Sequence, residues 1–150
     1  MSDPHVLGPG LAPTPFTAAE IRAGCPDGRW VLSRTERAGE VAFHRSGFEE
    51  GDADGCTCTT VTTDASGRLR GQVRRRRATW RELQGHAAFP ADATSVATER
   101  IRLAVGELEC LRYEVRGDAG TSTFWFALAH PGMPVRYRTG DAEVEVVALG

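Results

Sequence analysis

Beyond Arg29 the chain is built from β-branched, aromatic or alternating apolar and polar segments, a pattern of period two that predicts strands. Trp30 to Glu36, Val41 to Arg45, Cys56 to Thr63 and Leu69 to Arg77 form a first series. Between them lie the turn signals Ala38-Gly39, the acidic run Glu49 to Gly55, and Asp64-Ala65-Ser66-Gly67. Ser95 to Val105, Leu108 to Arg116, Thr121 to Ala129, and the pair Val135 to Arg138 and Glu143 to Leu149 form a second series. Here Gly106-Glu107 predicts a tight hairpin turn and Gly117 to Gly120 a looser one. This rhythm is that of an antiparallel meander.

Two short segments break the alternation with helix starts. At Phe16-Thr17-Ala18-Ala19-Glu20-Ile21 the threonine can cap, Glu20 can reach back to it, and Phe16 can staple onto Ile21. Ala18, Ile21 and Cys25 make a narrow apolar stripe, which Pro26-Asp27-Gly28 ends. A second capping box, Thr79-Trp80-Arg81-Glu82, is followed by Leu83 and Ala87 in helical step with Trp80. Gly85 weakens that helix by about 1 kcal/mol relative to alanine, and Phe89-Pro90 stops it. Residues 1 to 15, rich in Pro and Gly, read as an extended arm before a single β-rich domain over 16 to 150.

The strand faces are consistent with one another. Ile101, Leu103 and Val105 share a face, as do Leu111, Tyr113 and Val115, and then Phe124, Phe126 and Leu128. Thr123 to Ala129 is apolar on both faces and has to be covered twice; its other side, Thr123, Trp125, Ala127 and Ala129, is suited to a closely packed helix or ligand. The expected fold is mostly β (α+β): a curved antiparallel sheet or incomplete β-barrel with two short helices packed on the concave side. A concavity of this kind is filled by its own helices or holds an apolar small molecule. Aromatic lining points to Trp30, Trp80, Tyr113 and Trp125 as the ligand-binding residues. A protein-interaction or structural module with no ligand is the other reading, and the pattern sets no oligomeric state.

Composition narrows the function classes. A chain of 150 residues suits one domain, burying roughly 68 to 70% of its unfolded surface. A net charge of -2 gives the whole molecule no attraction for nucleic acid or anionic membranes. All 18 basic residues are arginine, asparagine is absent, and isoleucine occurs only at positions 21 and 101, the codon signature of a GC-rich bacterial genome. The N-terminal residues show no secretory signal pattern and nothing spans a bilayer, so a cytoplasmic location is expected, with Cys25, Cys56, Cys58 and Cys110 as reduced thiols.

Candidate chemistry is sparse. Cys56 and Cys58 share a strand face and, with His44 and Cys110, offer a soft-metal alternative; without paired Cys-x-x-Cys spacing they read as small buried apolar residues, and neither metal nor cofactor is expected. Arg68, Arg70 and Arg74, Arg75, Arg76 and Arg77 could grip phosphate or nucleic acid. Consecutive strand arginines alternate faces, however, so the run has to be an edge or a ribbon, which the acidic loop Glu49 to Asp54 can partly neutralise. No RNA- or DNA-binding signature accompanies it. Catalytic motifs are missing, His86 and His130 sit at a helix end and a proline turn, and the reading leans to a non-enzymatic protein.

The stretch Gly106-Glu107-Leu108-Glu109-Cys110-Leu111-Arg112-Tyr113, with Thr123-Phe124-Trp125-Phe126-Ala127 and Pro131-Gly132-Met133-Pro134-Val135, resembles the strand, strand, proline-turn, strand ending of bacterial proteins. It is similar to the C-terminal strands of the LolA/LolB-like half-barrel superfamily. That resemblance covers about a third of the chain. It implies a curved antiparallel sheet wrapped around helices, with an apolar concavity able to take an acyl chain.

Overall fold

The computed structural model describes residues 3–150, so positions 1 and 2 of the expected N-terminal arm lie outside the described residues. Among the described residues, nine strands form one antiparallel sheet in the order β4-β3-β2-β1-β9-β8-β7-β6-β5. The chain runs through α1 (Ala18–Gly24), β1 (Trp30–Arg37), β2 (Glu40–Glu49), β3 (Gly55–Thr63), β4 (Arg74–Thr79) and α2 (Trp80–Gly85). A single 3-10 turn (Ala91–Ala93) leads to β5 (Thr94–Leu103), β6 (Gly106–Gly117), β7 (Gly120–Ala127), β8 (Arg136–Thr139) and β9 (Ala142–Leu149). Two meanders, β1 to β4 and β5 to β9, are sewn together by the pairing of β1 with β9. Strands β4 and β5 therefore lie at opposite edges, and the segment joining them, which carries α2, has to cross the sheet.

It crosses the concave side. Directly paired residues share a face, and the pairs Phe48 with Cys58, Cys56 with Ala78, Leu111 with Phe126 and Tyr113 with Phe124 mark one face from both halves of the sheet. Phe48, Cys56, Tyr113 and Phe126 pack into a single cluster with Phe16, Ile21, Cys25, Trp80 and Ala87. Strands separated by β1, β9 and β8 reach the same two helices only because the sheet curls around them, giving an open half-barrel. Both capping boxes form: Thr17 and Thr79 accept from the backbone N–H of Glu20 and Glu82, whose carboxylates accept from the threonine N–H groups in return. Buried Gln84 pins the helices together, its Oε1 accepting from Ala18 N and its Nε2 donating to Thr14 Oγ1 and Pro4 O.

A second cluster joins Val31, Ile101, Leu108, Cys110, Trp125, Ala127, Val135 and Val146. Met133 packs against both clusters. It is carried on the turn between β7 and β8, which approaches closely because position 24 is glycine: a Cβ there would stand 2.9 Å from Pro131 Cβ. Residues 3 to 15 contain little regular structure and lie against this framework. Ala12 N donates to Phe89 O at 2.8 Å, and the Tyr113 hydroxyl donates to Pro13 O at 2.7 Å.

Several expectations are corrected. The side of β7 that meets the helices is Phe124 and Phe126, not Trp125 and Ala127, because Phe16 and Phe89 supply matching rings. Leu128 lies beyond the end of β7 and is 47% exposed. The expected strand Leu69 to Arg77 joins the ladder only from Arg74; the Asp64 carboxylate accepts from the backbone of Ser66 and Arg68, tying residues 64 to 68 into a turn, and Leu69 makes one isolated bridge to Thr63. The β5–β6 hairpin turns at Ala104-Val105 rather than Gly106-Glu107, since Leu103 pairs with Gly106. Helix α2 stops at Gly85, before Ala87. The β1–β2 turn falls at Ala38-Gly39 as expected, with φ of 51° and 82°, the two-residue geometry that twisted hairpins favour.

Candidate functional site

On the concave face a cleft of about 290 Å3 lies between the helices, β7, β8 and the turn at residues 132 to 134. This is near the low end of the roughly 300 to 1,000 Å3 of small-molecule sites. Its long wall is an aromatic stack: Phe89 lies 4.9 Å from Phe124, and Phe124 lies 5.9 Å from Tyr137, with the rings nearly parallel. Phe126 closes the floor, held edge-on by Tyr113 at 5.3 Å and Phe16 at 6.4 Å. Ile21, Leu83 and Met133 complete the apolar lining, and His86, at the C-terminal cap of α2, stands at the rim.

The four residues expected to bind a ligand are not brought together. Trp125 is 5% exposed on the opposite face of β7 from the cleft, and its second cover is the protein itself. The guanidinium groups of Arg136 and Arg138 lie over its ring at 5.0 and 5.3 Å, and its Nε1 donates to Glu99 Oε2 at 2.8 Å. Glu99 is held below the usual carboxylate range, first by that indole bond, then by the bond and charge of Arg112. Trp80 belongs to the concave cluster, but its Nε1 is committed to Asp52 O at 2.8 Å and its ring lies away from the cleft, against α1. Tyr113 stands behind the cleft wall, with burial pushing its hydroxyl up to about 12. Trp30 lies on the convex face beneath the Arg45 guanidinium, 5.0 Å from its ring, beside a second, more polar cleft of about 230 Å3.

Three of the rings lining the cleft, Phe89, Phe124 and Phe126, are phenylalanines that the sequence reading passed over, and the missed signal was their lack of a polar atom. A buried indole needs an acceptor for its N–H and settles where one exists, whereas a phenyl ring can face an empty apolar space at no such cost.

Cys56 and Cys58 do share a face, with their sulfurs 3.8 Å apart, and Cys25 neighbours them. Burial pushes Cys25 up to about 11 and Cys56 up to about 12, which disfavours a nucleophilic thiolate at neutral pH. Cys110 lies in the other cluster, apart from them. Among the described residues no three His, Cys, Asp or Glu side chains gather as a metal-holding group.

The arginine ribbon is an edge strand, and its side chains do alternate. Arg75 pairs with Glu49 and Arg77 with Asp52, while Arg77 also donates to Glu50 O at 2.6 Å. Among the described residues Arg74 and Arg76 have no carboxylate within 4.0 Å, so two of the four remain for a phosphate ligand. No helix among the described residues is long and apolar enough to cross a membrane.

Neither a family model nor a curated protein matches the sequence. Among solved structures the fold is similar to that of MucB, with a TM-score of 0.57 at 13% identity over 87% of this chain and 55% of that one. It is likewise similar to the Pseudomonas aeruginosa MucA/MucB complex, with a TM-score of 0.57 at 14% identity over 87% of this chain and 53% of that one. At these identities the likeness is one of fold, and this chain spans about half the length of the chains it matches. It supports, at the level of architecture, the half-barrel resemblance read from the C-terminal strands.

Proposed function

We propose that this chain is a non-catalytic binding module whose concave cleft takes one apolar chain or a small apolar molecule. The observation that carries the reading is the stacked wall Phe89-Phe124-Tyr137 facing space that the module's own helices leave open, although both helices pack on that side of the sheet. Burying apolar ligand surface there is worth roughly 25 cal/mol per Å2 before the costs of association. The guest-contacting residues become Ile21, Leu83, Phe89, Phe124, Phe126 and Met133, in place of the tryptophans.

A second reading, a protein-interaction module, is favoured by the open edge β5, whose segment Thr94 to Thr98 is uncharged and has Val96 48% exposed. One of the like-folded structures is itself a complex of two proteins. Charge on the other edge, β4, discourages strand addition there. The phosphate-ligand alternative rests on Arg74 and Arg76 alone.

The test is a cleft-filling variant. Ala87 is 8% exposed and lines the cleft just beyond α2, so Ala87→Phe directs a ring into the open space. Decanol binding, followed by displacement of an environment-sensitive dye, is expected to be saturable in the native chain and at least tenfold weaker in Ala87→Phe, with the thermal midpoint little changed. Equal binding by both proteins, or no saturable binding by either, overturns the reading.

A further inference from the structure

We infer that the guest of this cleft is a single-chain carboxylate whose head group is taken by Arg29, an assignment that rests on the apolar-cleft reading above. Among the described residues four arginines are half-buried: Arg29, Arg34, Arg112 and Arg136. Three of them hold a glutamate, Arg34 with Glu36 at 3.0 Å, Arg112 with Glu99 at 3.0 Å and Arg136 with Glu143 at 2.8 Å. Arg29 alone has no carboxylate within 4.0 Å, and its Nη2 instead meets Nδ1 of His130 at 3.3 Å. A half-buried guanidinium facing a neutral ring and no carboxylate has no anion to balance its charge, and a carboxylate supplies short charge-assisted bonds to it.

The position is as informative as the missing partner. Arg29 and His130 border a small space of about 20 Å3 whose walls include Phe48 and Met133, and the same two side chains wall the apolar cleft. The unpaired cation therefore lies one side chain behind the end of the cleft. Met133, unbranched and carried on the Pro131 to Pro134 turn, is suited to swinging aside and joining the two spaces. An apolar tail along Phe89, Phe124 and Tyr137 with its anionic end at Arg29 uses both halves of the site. His130 supports this as an uncharged neighbour: burial first, and then the Arg29 charge, hold it below the ordinary histidine range, and Cys25, which also borders the space, stays a thiol. The Arg29 charge thus has no competing anion within the site.

Decanoate, decanol and methyl decanoate, each below its aggregation limit at pH 8, separate the possibilities. Decanoate is expected to bind at least tenfold more tightly than the two neutral ligands. Arg29→Gln is expected to bring decanoate down to the decanol level and leave decanol unchanged, while Arg29→Lys keeps part of the preference. The thermal midpoint of each variant reports its folding, and the native-chain comparison needs no variant. Equal affinity for all three ligands overturns the assignment of Arg29 and leaves the cleft reading standing; no saturable binding of any of them removes both.

Discussion

Phe126→Ala is expected to cost about 3–5 kcal/mol of stability, the range for removing a phenyl ring from a packed core. For a chain of this size that lowers the thermal midpoint by roughly 6–20 °C. Phe126 is 2% exposed and meets three rings from different parts of the chain: Phe16 before α1, Tyr113 on β6 and Phe124 on its own strand. The hole would open into the existing cleft, so little of the loss can be recovered by collapse. Denaturant unfolding of the native chain and the variant measures the difference, and a cost below about 1 kcal/mol would show that the helices do not depend on this wall.

Trp125→Ala is expected to cost a similar amount, about 3–5 kcal/mol, for a different physical reason. Its ring is sandwiched by charge, with Arg136 and Arg138 above it and Glu99 at its edge, so truncation uncovers a polar cluster as well as leaving a void. Trp125→Phe separates the two contributions by keeping a ring and removing the N–H. Glu99 titrates below its ordinary value in the folded chain, the indole bond being the first cause. A carboxyl depressed on folding contributes stability that is present above its unfolded pKa and is lost as pH falls through its folded pKa. The stability gap between the native chain and Trp125→Phe is therefore expected at pH 7 and to shrink at pH 3. An undiminished gap at pH 3 would mean that Glu99 takes no part in it.

These two residues also show how far the sequence could be read. Strand positions were legible because alternation and turn chemistry agree: Ala38-Gly39 turns the first hairpin, and the limits of β1, β3 and β7 fall within a few residues of the apolar runs. Both capping boxes were legible because each needs only four residues. Which face of β7 met the helices was not, since a strand apolar on both sides carries no inside or outside of its own. That choice was made by Phe16 and Phe89, more than 30 residues away in sequence, which meet the Phe126 ring edge-on and the Phe124 ring in a stack. The cleft was missed for a related reason: ring size drew attention to Trp30, Trp80 and Trp125, yet the indole N–H groups of Trp80 and Trp125 settled on Asp52 O and Glu99, away from it. The arginine ribbon was legible as an edge, and its neutralisation by Glu49 and Asp52 followed from a nearby loop of opposite charge.

The most direct test of the concave cleft as a binding site uses Met133, which lines it. With 13C-labelled methionine methyl groups, titration of decanol is expected to shift the Met133 signal saturably. A Met133 signal that does not move while decanol is bound elsewhere on the protein would contradict the account.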